Sequence, residues 1–284
     1  MGTIAFLGTG LLGANFTKAL LNKGESLQIW NRTAEKAKAL ESFGAKAFET
    51  PEAAVNGAER VHITLSDDAV VDAVLEQAEP GLAPGTFLID HTTTSVDGAR
   101  NRTTTWAAKG FTYIHAPVFM GPSNALDSSG FMLISEAPER TKQVGPWLSA
   151  MTGKLLDLGH QPGKAAGIKL LGNLFLLTLT GGLSDMLSLA KSMGLGGTDI
   201  STLFESFNPG AAAPARLKRL MNANYDEPSW ELQMARKDAR LMMEEAGKAG
   251  RPLVLVPEIA KEMDRFLAKG FAQKDWSIIV SENL

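Results

Sequence analysis

The sequence predicts an α/β chain: a doubly wound, parallel-rich sheet in the first half, an all-helical second half, and one long helix joining them. Three observations carry this. Up to about residue 158, short apolar runs alternate with helical stretches and turn residues separate them, the pattern of repeated strand–helix units. After Gln161-Pro162-Gly163 no strand pattern recurs and helical periodicity takes over. Between the two lies Gly163–Leu195, a strongly apolar stretch carrying Lys169 and Asn173 four residues apart, a spacing that puts both on one helix face where they can act on one ligand.

A chain of 284 residues is long for one core, so two domains are expected, 1–162 with the sheet and 163–284 helical. The uncharged run Leu170–Ser184 falls short of the roughly 18–20 apolar residues of a membrane span. The long helix is therefore expected to be buried between the domains, where a polar pair costs free energy unless the fold or a substrate satisfies it. With no flexible linker, the domains should pack tightly around a cleft.

Composition narrows the function classes. At 44% hydrophobic, 21% charged and a net charge of −3, with no basic block, the chain is an ordinary globular one without the electrostatic footprint of nucleic-acid binding. The absence of cysteine excludes disulfides, thiol catalysis and thiolate metal sites. His62, His91, His115 and His160 never fall at ligand spacing on one helix, so no metal is expected. Met1–Leu7 runs straight into a strand with no targeting pattern, and a cytoplasmic location without membrane attachment is the expectation.

In chain order, Thr3–Leu7 reads as a strand that runs into Gly8-Thr9-Gly10-Leu11-Leu12-Gly13 and then the helix Leu11–Leu21. This is G-x-G-x-x-G in strand–turn–helix context: Gly8 for the tight turn, Gly10 for approach of a pyrophosphate, Gly13 for close helix–strand packing. Phosphates then sit at the helix N-terminus, and the first half reads as a Rossmann-type dinucleotide-binding domain. The second strand, Ser26–Trp30, ends in Asn31-Arg32-Thr33, with no acidic residue to hold a ribose 2′-hydroxyl and an arginine available for a 2′-phosphate. NADP(H) is therefore expected over NAD(H). The plainer alternative is a solvated Arg32 and a Thr33 that caps the helix Ala34–Phe43; both roles for Thr33 can hold together.

Strands follow at Arg60–Leu65, Thr86–Asp90, Phe111–Ala116, Gly130–Ser135 and Lys154–Leu158. Helices are expected after Ser66-Asp67-Asp68 to Gln77, and over Val96–Lys109 and Glu139–Met151. His91-Thr92-Thr93-Thr94-Ser95 stands at a strand end, where open parallel sheets bind ligands, although Thr and Ser are also ordinary N-caps. Pro117–Asn124 reads as a loop with exposed apolar side chains. Beyond residue 195 come helices Thr198–Ser206, Pro214–Met221, Glu231–Lys248, Val254–Ala268 and Lys274–Val280.

Taken together, GTGLLG, Trp30-Asn31-Arg32-Thr33, Asp90-His91-Thr92-Thr93, Lys169-x-x-x-Asn173 and Trp230-x-Leu232 followed by Lys237-Asp238 resemble the motifs of the β-hydroxyacid dehydrogenase family. That family includes 3-hydroxyisobutyrate dehydrogenases, glyoxylate and succinic semialdehyde reductases and, as relatives, imine reductases. The resemblance spans essentially the whole chain. It implies cofactor contacts at Gly8, Thr9, Gly10, Leu11, Leu12, Gly13, Asn31, Arg32, Thr33, Leu65, Ser66, Thr92, Thr93 and Lys237. It implies a catalytic Lys169 with Asn173 beside it, and substrate contacts at Thr92, Val118, Phe119, Met120, Gly121 and Trp230. It also implies a homodimer or larger homo-oligomer. One departure matters: where the family carries small Ser-Gly residues in its D-A-P-V-S-G-G loop, this chain has Phe119-Met120, which makes the pocket wall bulkier and more apolar.

The chemistry these residues suit is hydride transfer between a nicotinamide and a carbonyl or β-hydroxy acid, with Lys169 as proton donor or acceptor. An imine substrate is the alternative that Phe119-Met120 raises, and a non-catalytic NADP-binding sensor is a third reading. From the residues alone, Lys169 could equally snorkel from a helix start, and Lys237 could belong to a solvated face.

Overall fold

Thr3–Leu7 forms β1, and Ile4, Ala5, Phe6 and Leu7 are all fully buried, as an apolar run in the middle of a parallel sheet must be. The structure, a computed structural model, describes residues 2–284 and divides into two units, 1–173 and 174–284.

In the first unit β1 is followed by α1 (Leu11–Asn22), β2 (Leu27–Trp30), α2 (Ala34–Lys38), β3 (Lys46–Ala47), α3 (Pro51–Val55), β4 (Ala58–Ile63), α4 (Asp68–Ala78), β5 (Phe87–Asp90), α5 (Val96–Ala108) and β6 (Thr112–His115). The six strands are all parallel, in the order β3-β2-β1-β4-β5-β6. Strand order reverses between β1 and β4, which opens a crevice at their C-terminal ends. Alternation along β1 feeds two cores. Ile4 and Phe6 join Phe16, Leu20, Ile29 and Ile114 on one face, while Ala5 and Leu7 join Val61, Ile63, Leu75 and Tyr113 on the other.

Several expectations are corrected here. The helix expected over Ala34–Phe43 is α2 followed by a separate 3-10 turn, Glu41–Phe43. Thr33 stands at its N-cap but makes no side-chain capping bond. Asp67 and Ser95 do cap, accepting from Val70 N–H and Gly98 N–H. Pro117–Asn124 is not an exposed loop: it contains β7 (Val118–Phe119) and the start of α6 (Pro122–Asp127), and Val118 is buried. The late strands β8 (Phe131–Ile134) and β9 (Lys154–Asp157), separated by α7 (Pro138–Ser149), do not extend the main sheet. They form a second sheet β7-β8-β9, with β7 antiparallel to β8 and β8 parallel to β9.

The helix α8 (Lys164–Ser192) starts in the first unit. It is not the buried helix expected: only 6% of its most apolar stretch is buried, and Leu171, Leu174, Phe175, Leu176 and Leu177 are more than half exposed. By length and composition it could cross a membrane. In the second unit α8 is followed by α9 (Gly197–Ser206), α10 (Ala213–Met221), α11 (Leu232–Lys248), α12 (Val256–Ala268) and a 3-10 stretch, Trp276–Asn283, in place of the expected last helix. Leu232, Ala235, Ala239, Ala260, Met263, Phe266 and Ile278 form its core. Asp185 of α8 accepts hydrogen bonds from the backbone N–H groups of Val254, Leu255 and Val256 at 2.6, 2.8 and 3.1 Å, neutralising the N-terminus of α12.

Beneath the turn after β1, the main core holds two stacked imidazoles. His62 and His91 lie 5.2 Å apart at 10°, flanked by Phe6 and Phe16. His91 Nδ1 faces the Ala116 carbonyl at 2.7 Å, and its Nε2 lies 2.9 Å from His62 Nδ1. A carbonyl only accepts, so His91 carries its proton on Nδ1 and accepts from His62 at Nε2. Burial drives the His62 ring well below its ordinary value and brings His91 down to about 4; burial also lowers His115. All three lose their protons more readily when folded, whereas unfolded imidazoles charge near pH 6.5. Below about 6.5 the unfolded chain therefore binds more protons and stability rises with pH, for His91 by up to about 1.4 kcal/mol per pH unit down to about 4. Urea unfolding measured from pH 8 to 4 should show stability intact above 6.5 and falling steadily below it, with a shallower fall in His62→Phe. An equal slope in both proteins would contradict the assignment.

Candidate functional site

The site is built at the end of β1, where three backbone segments approach more closely than side chains permit. Gly8 has φ +96°, a conformation that favours glycine, and a Cβ there would collide with the Thr64 carbonyl oxygen. A Cβ on Gly13 would overlap the Gly8 carbonyl oxygen and Thr64 Oγ1. In that space the Thr64 hydroxyl donates to the Gly8 carbonyl at 2.7 Å. The helix α1 thus starts directly off β1. Its first turn carries no acidic residue, and its first N–H groups, unpaired within the helix, point outward with the positive end of the dipole.

A cavity of about 300 Å³ opens there, at the ends of β1, β4 and β5. It is lined by Gly10, Leu11, Leu12 and Gly13, by Thr64 and Leu65, by His91, Thr92 and Thr93, by Val118 and Met120, and by Lys169. A Cβ on Gly10 would meet no protein atom within 4 Å and would take up room in this cavity. The neighbouring Thr9 Oγ1 is buried without a hydrogen-bond partner. An anion-binding helix end, an open glycine and an unspent hydroxyl fit a dinucleotide pyrophosphate.

Thr92 ties two strand ends together. Its N–H donates to Asp90 Oδ1 at 2.8 Å, and its hydroxyl accepts from Leu65 N–H at 3.0 Å, leaving the hydroxyl proton to donate. Asp90 is itself fixed by the Tyr113 hydroxyl at 2.6 Å. Lys169 is nearly buried, and its Nζ donates to Asn173 Oδ1 at 3.0 Å while standing 4.2 Å from the centre of the Phe119 ring. No carboxylate pairs with it among the described residues, and burial lowers its amine below the ordinary lysine value.

The remaining candidates fall around or away from the cavity. Asn31 Oδ1 accepts from Thr9 N–H at 2.9 Å and its amide donates to the Thr33 carbonyl, so this side chain steadies the glycine turn. Arg32 is exposed and makes no ion pair among the described residues. The nearby Asp67 carboxyl is held below its usual range, first by the Ser66 hydroxyl and then by Val70 N–H, with the Arg32 charge adding to both. Gly121 N–H is taken by Asn124 Oδ1 at 2.9 Å. Trp230 and Lys237 belong to the second unit: Trp230 packs edge-on against Trp276 at 5.6 Å, and Lys237 pairs with Asp238 at 2.9 Å. Thr64 lines the cavity without having been singled out, and so does His91, named within the strand-end run His91–Ser95 but given no role. Their positions at strand ends were the available signal.

Residues 3–159 match the NAD binding domain of 6-phosphogluconate dehydrogenase. The chain is 26% identical over 282 residues to the uncharacterized oxidoreductase YfjR of Bacillus subtilis (strain 168), covering 98% of each. It is 24% identical over 288 residues to the 3-sulfolactaldehyde reductase of Escherichia coli (strain K12), covering 99% of this chain and 96% of that one. Its fold is shared with the imine reductase from Myxococcus stipitatus solved in complex with NADP+, at a TM-score of 0.87, 20% identity, and coverage of 98% and 99%. The chain belongs to the β-hydroxyacid dehydrogenase family of NAD(P)-dependent oxidoreductases.

Proposed function

We propose that this protein is an NADP(H)-dependent reductase of a carbonyl compound related to the β-hydroxy acids, with Lys169 as its proton donor. The observation that carries the reading is that Lys169, without a carboxylate partner among the described residues, opens into the same cavity as the N-terminus of α1. Bound NADP(H) supplies and accepts hydride. The chain's own residues do the rest. The α1 amides and Gly10 receive the pyrophosphate, and Arg32, unpaired at the end of β2, receives a 2′-phosphate, with Asn31 and Thr33 beside it. Ser66 and Thr93 add hydroxyls at the ends of β4 and β5, and Lys237 supplies a further cation. Thr92 keeps a hydroxyl proton for a substrate or ribose oxygen. As the carbonyl is reduced, the Lys169 ammonium stabilises the developing oxyanion and passes it a proton; in the reverse direction the neutral amine takes the alcohol's proton. Asn173 orients that amine.

A second reading is favoured by Met120 in the cavity lining and by Phe119 beside Lys169: added apolar side chains and a Gly121 N–H already spent on Asn124 suit a neutral imine better than a small carboxylate. The imine reductase that shares the fold adds support. Lys169 would then protonate the nitrogen. Trp230 completes the substrate contacts under either reading. The exposed leucines of α8 favour a homo-oligomer, since apolar surface of this extent is normally covered.

NADPH oxidation should be seen with aldehydes, 2- and 3-oxo acids or cyclic imines, and Lys169→Ala should lose about 10²–10⁴-fold in kcat while NADPH binding is kept. An unchanged rate would remove Lys169 from the chemistry. In fluorescence titrations Arg32→Ala should weaken NADPH by roughly ten- to a hundredfold and spare NADH; equal losses would contradict the 2′-phosphate contact. Sedimentation should give a dimer or larger species that Leu174→Glu with Leu177→Glu dissociates, and a monomeric wild type would refute the covered helix.

A further inference from the structure

The first turns of α8 and the strand β7 meet at one point. A Cβ built on Gly172 would lie 2.6 Å from Phe119 Cε1, so the ring is seated where only glycine leaves room. From that seat its face is turned to Lys169 Nζ, 4.2 Å from the ring centre, while Asn173 Oδ1 holds the same nitrogen at 3.0 Å. The backbone that carries the ring is fixed by strand pairing, Phe119 of β7 standing opposite Phe131 of β8. An aromatic face attracts an ammonium and has no comparable attraction for a neutral amine.

We infer that Phe119 is a positioning residue: its ring clamps the Lys169 ammonium against Asn173, keeping the lysine a cation at the cavity wall. Among the described residues no charged side chain does this. Burial disfavours the charged amine, and no neighbouring charge opposes burial. The segments lining the cavity contribute one other titratable side chain, His91, which is neutral and hydrogen-bonded through both ring nitrogens. On the elements packed at the start of α8, Arg100 is tied to the Pro162 carbonyl at 3.1 Å and Glu136 lies 3.7 Å from Arg140. Phe119 therefore stands in for the carboxylate that a buried lysine would otherwise need. The inference rests on the catalytic reading of Lys169 only for its kinetic consequence.

The test is an NMR titration of the full chain labelled with ¹³C at lysine Cε, with Lys169→Arg assigning the signal. In Phe119→Leu the Lys169 midpoint should fall by about one pH unit, the size of a partly desolvated cation–π contact. Phe119→Tyr, which keeps the ring, should titrate with wild type. Gly172→Ala, which displaces the ring and leaves Phe119 in the chain, should follow Phe119→Leu and serves if that variant does not fold. The pH–rate profile of NADPH oxidation should show the same displacement, with kcat changed more than KM. Midpoints identical in wild type, Phe119→Leu and Gly172→Ala would overturn the inference, even if Lys169→Ala abolished turnover. A displaced midpoint with turnover indifferent to Lys169 would uphold the clamp and reject the catalytic reading.

Discussion

The contact among Gly8, Gly13 and Thr64 is the constraint on which the first unit depends. Three backbone segments, the end of β1, the first turn of α1 and the residue after β4, occupy a space that two β-carbons would fill. The Thr64 hydroxyl closes it with a bond to the Gly8 carbonyl. Because β1 and β4 are neighbours across the point where strand order reverses, this contact also fixes the crevice in which the cavity lies. The unpaired amides of α1 face that crevice as a consequence of backbone geometry, with no charged side chain involved. Neighbouring polar groups then hold the crevice in shape: Asn31 on the Thr9 amide, Thr92 on the Leu65 amide, and Asp90 under Thr92 with Tyr113 behind it.

Beside this framework stands a nearly buried cation. Lys169 has a hydrogen-bond acceptor and an aromatic face as partners but no carboxylate among the described residues. Burial lowers the amine, while an aromatic face favours its ammonium. A proton so held would suit the acid role proposed for Lys169. Phe119-Met120, where the family carries small residues, does two things at once: Phe119 supplies the aromatic face, and Met120 adds an apolar side chain to the cavity wall.

Much of this was legible in residue order. The G-x-G-x-x-G turn after a short apolar strand located the dinucleotide cradle, and a four-residue spacing put Lys169 and Asn173 in hydrogen-bond contact. Three short elements were not legible: β3 and α3 lack a full period of any pattern, and β7 exists only through its distant partner β8. The second sheet was hidden for the same reason, since local alternation does not reveal which sheet a strand joins. Periodicity showed α8 to be apolar but not what covers it, and its leucines are exposed where burial was expected. Gly172 carried no signal at all, because its role is to leave space for a ring fifty-three positions earlier in the chain.

The central claim is that the glycine-turn cavity and Lys169 act on one substrate, hydride arriving at carbon and a proton at the heteroatom. Turnover with NADPH deuterated at the transferred C4 position, analysed by mass spectrometry and NMR of the product, tests it most directly. The account predicts one deuterium on the carbon that had been the carbonyl or imine carbon, and no product at a comparable rate from Lys169→Ala. Product formed without deuterium at that carbon would contradict it.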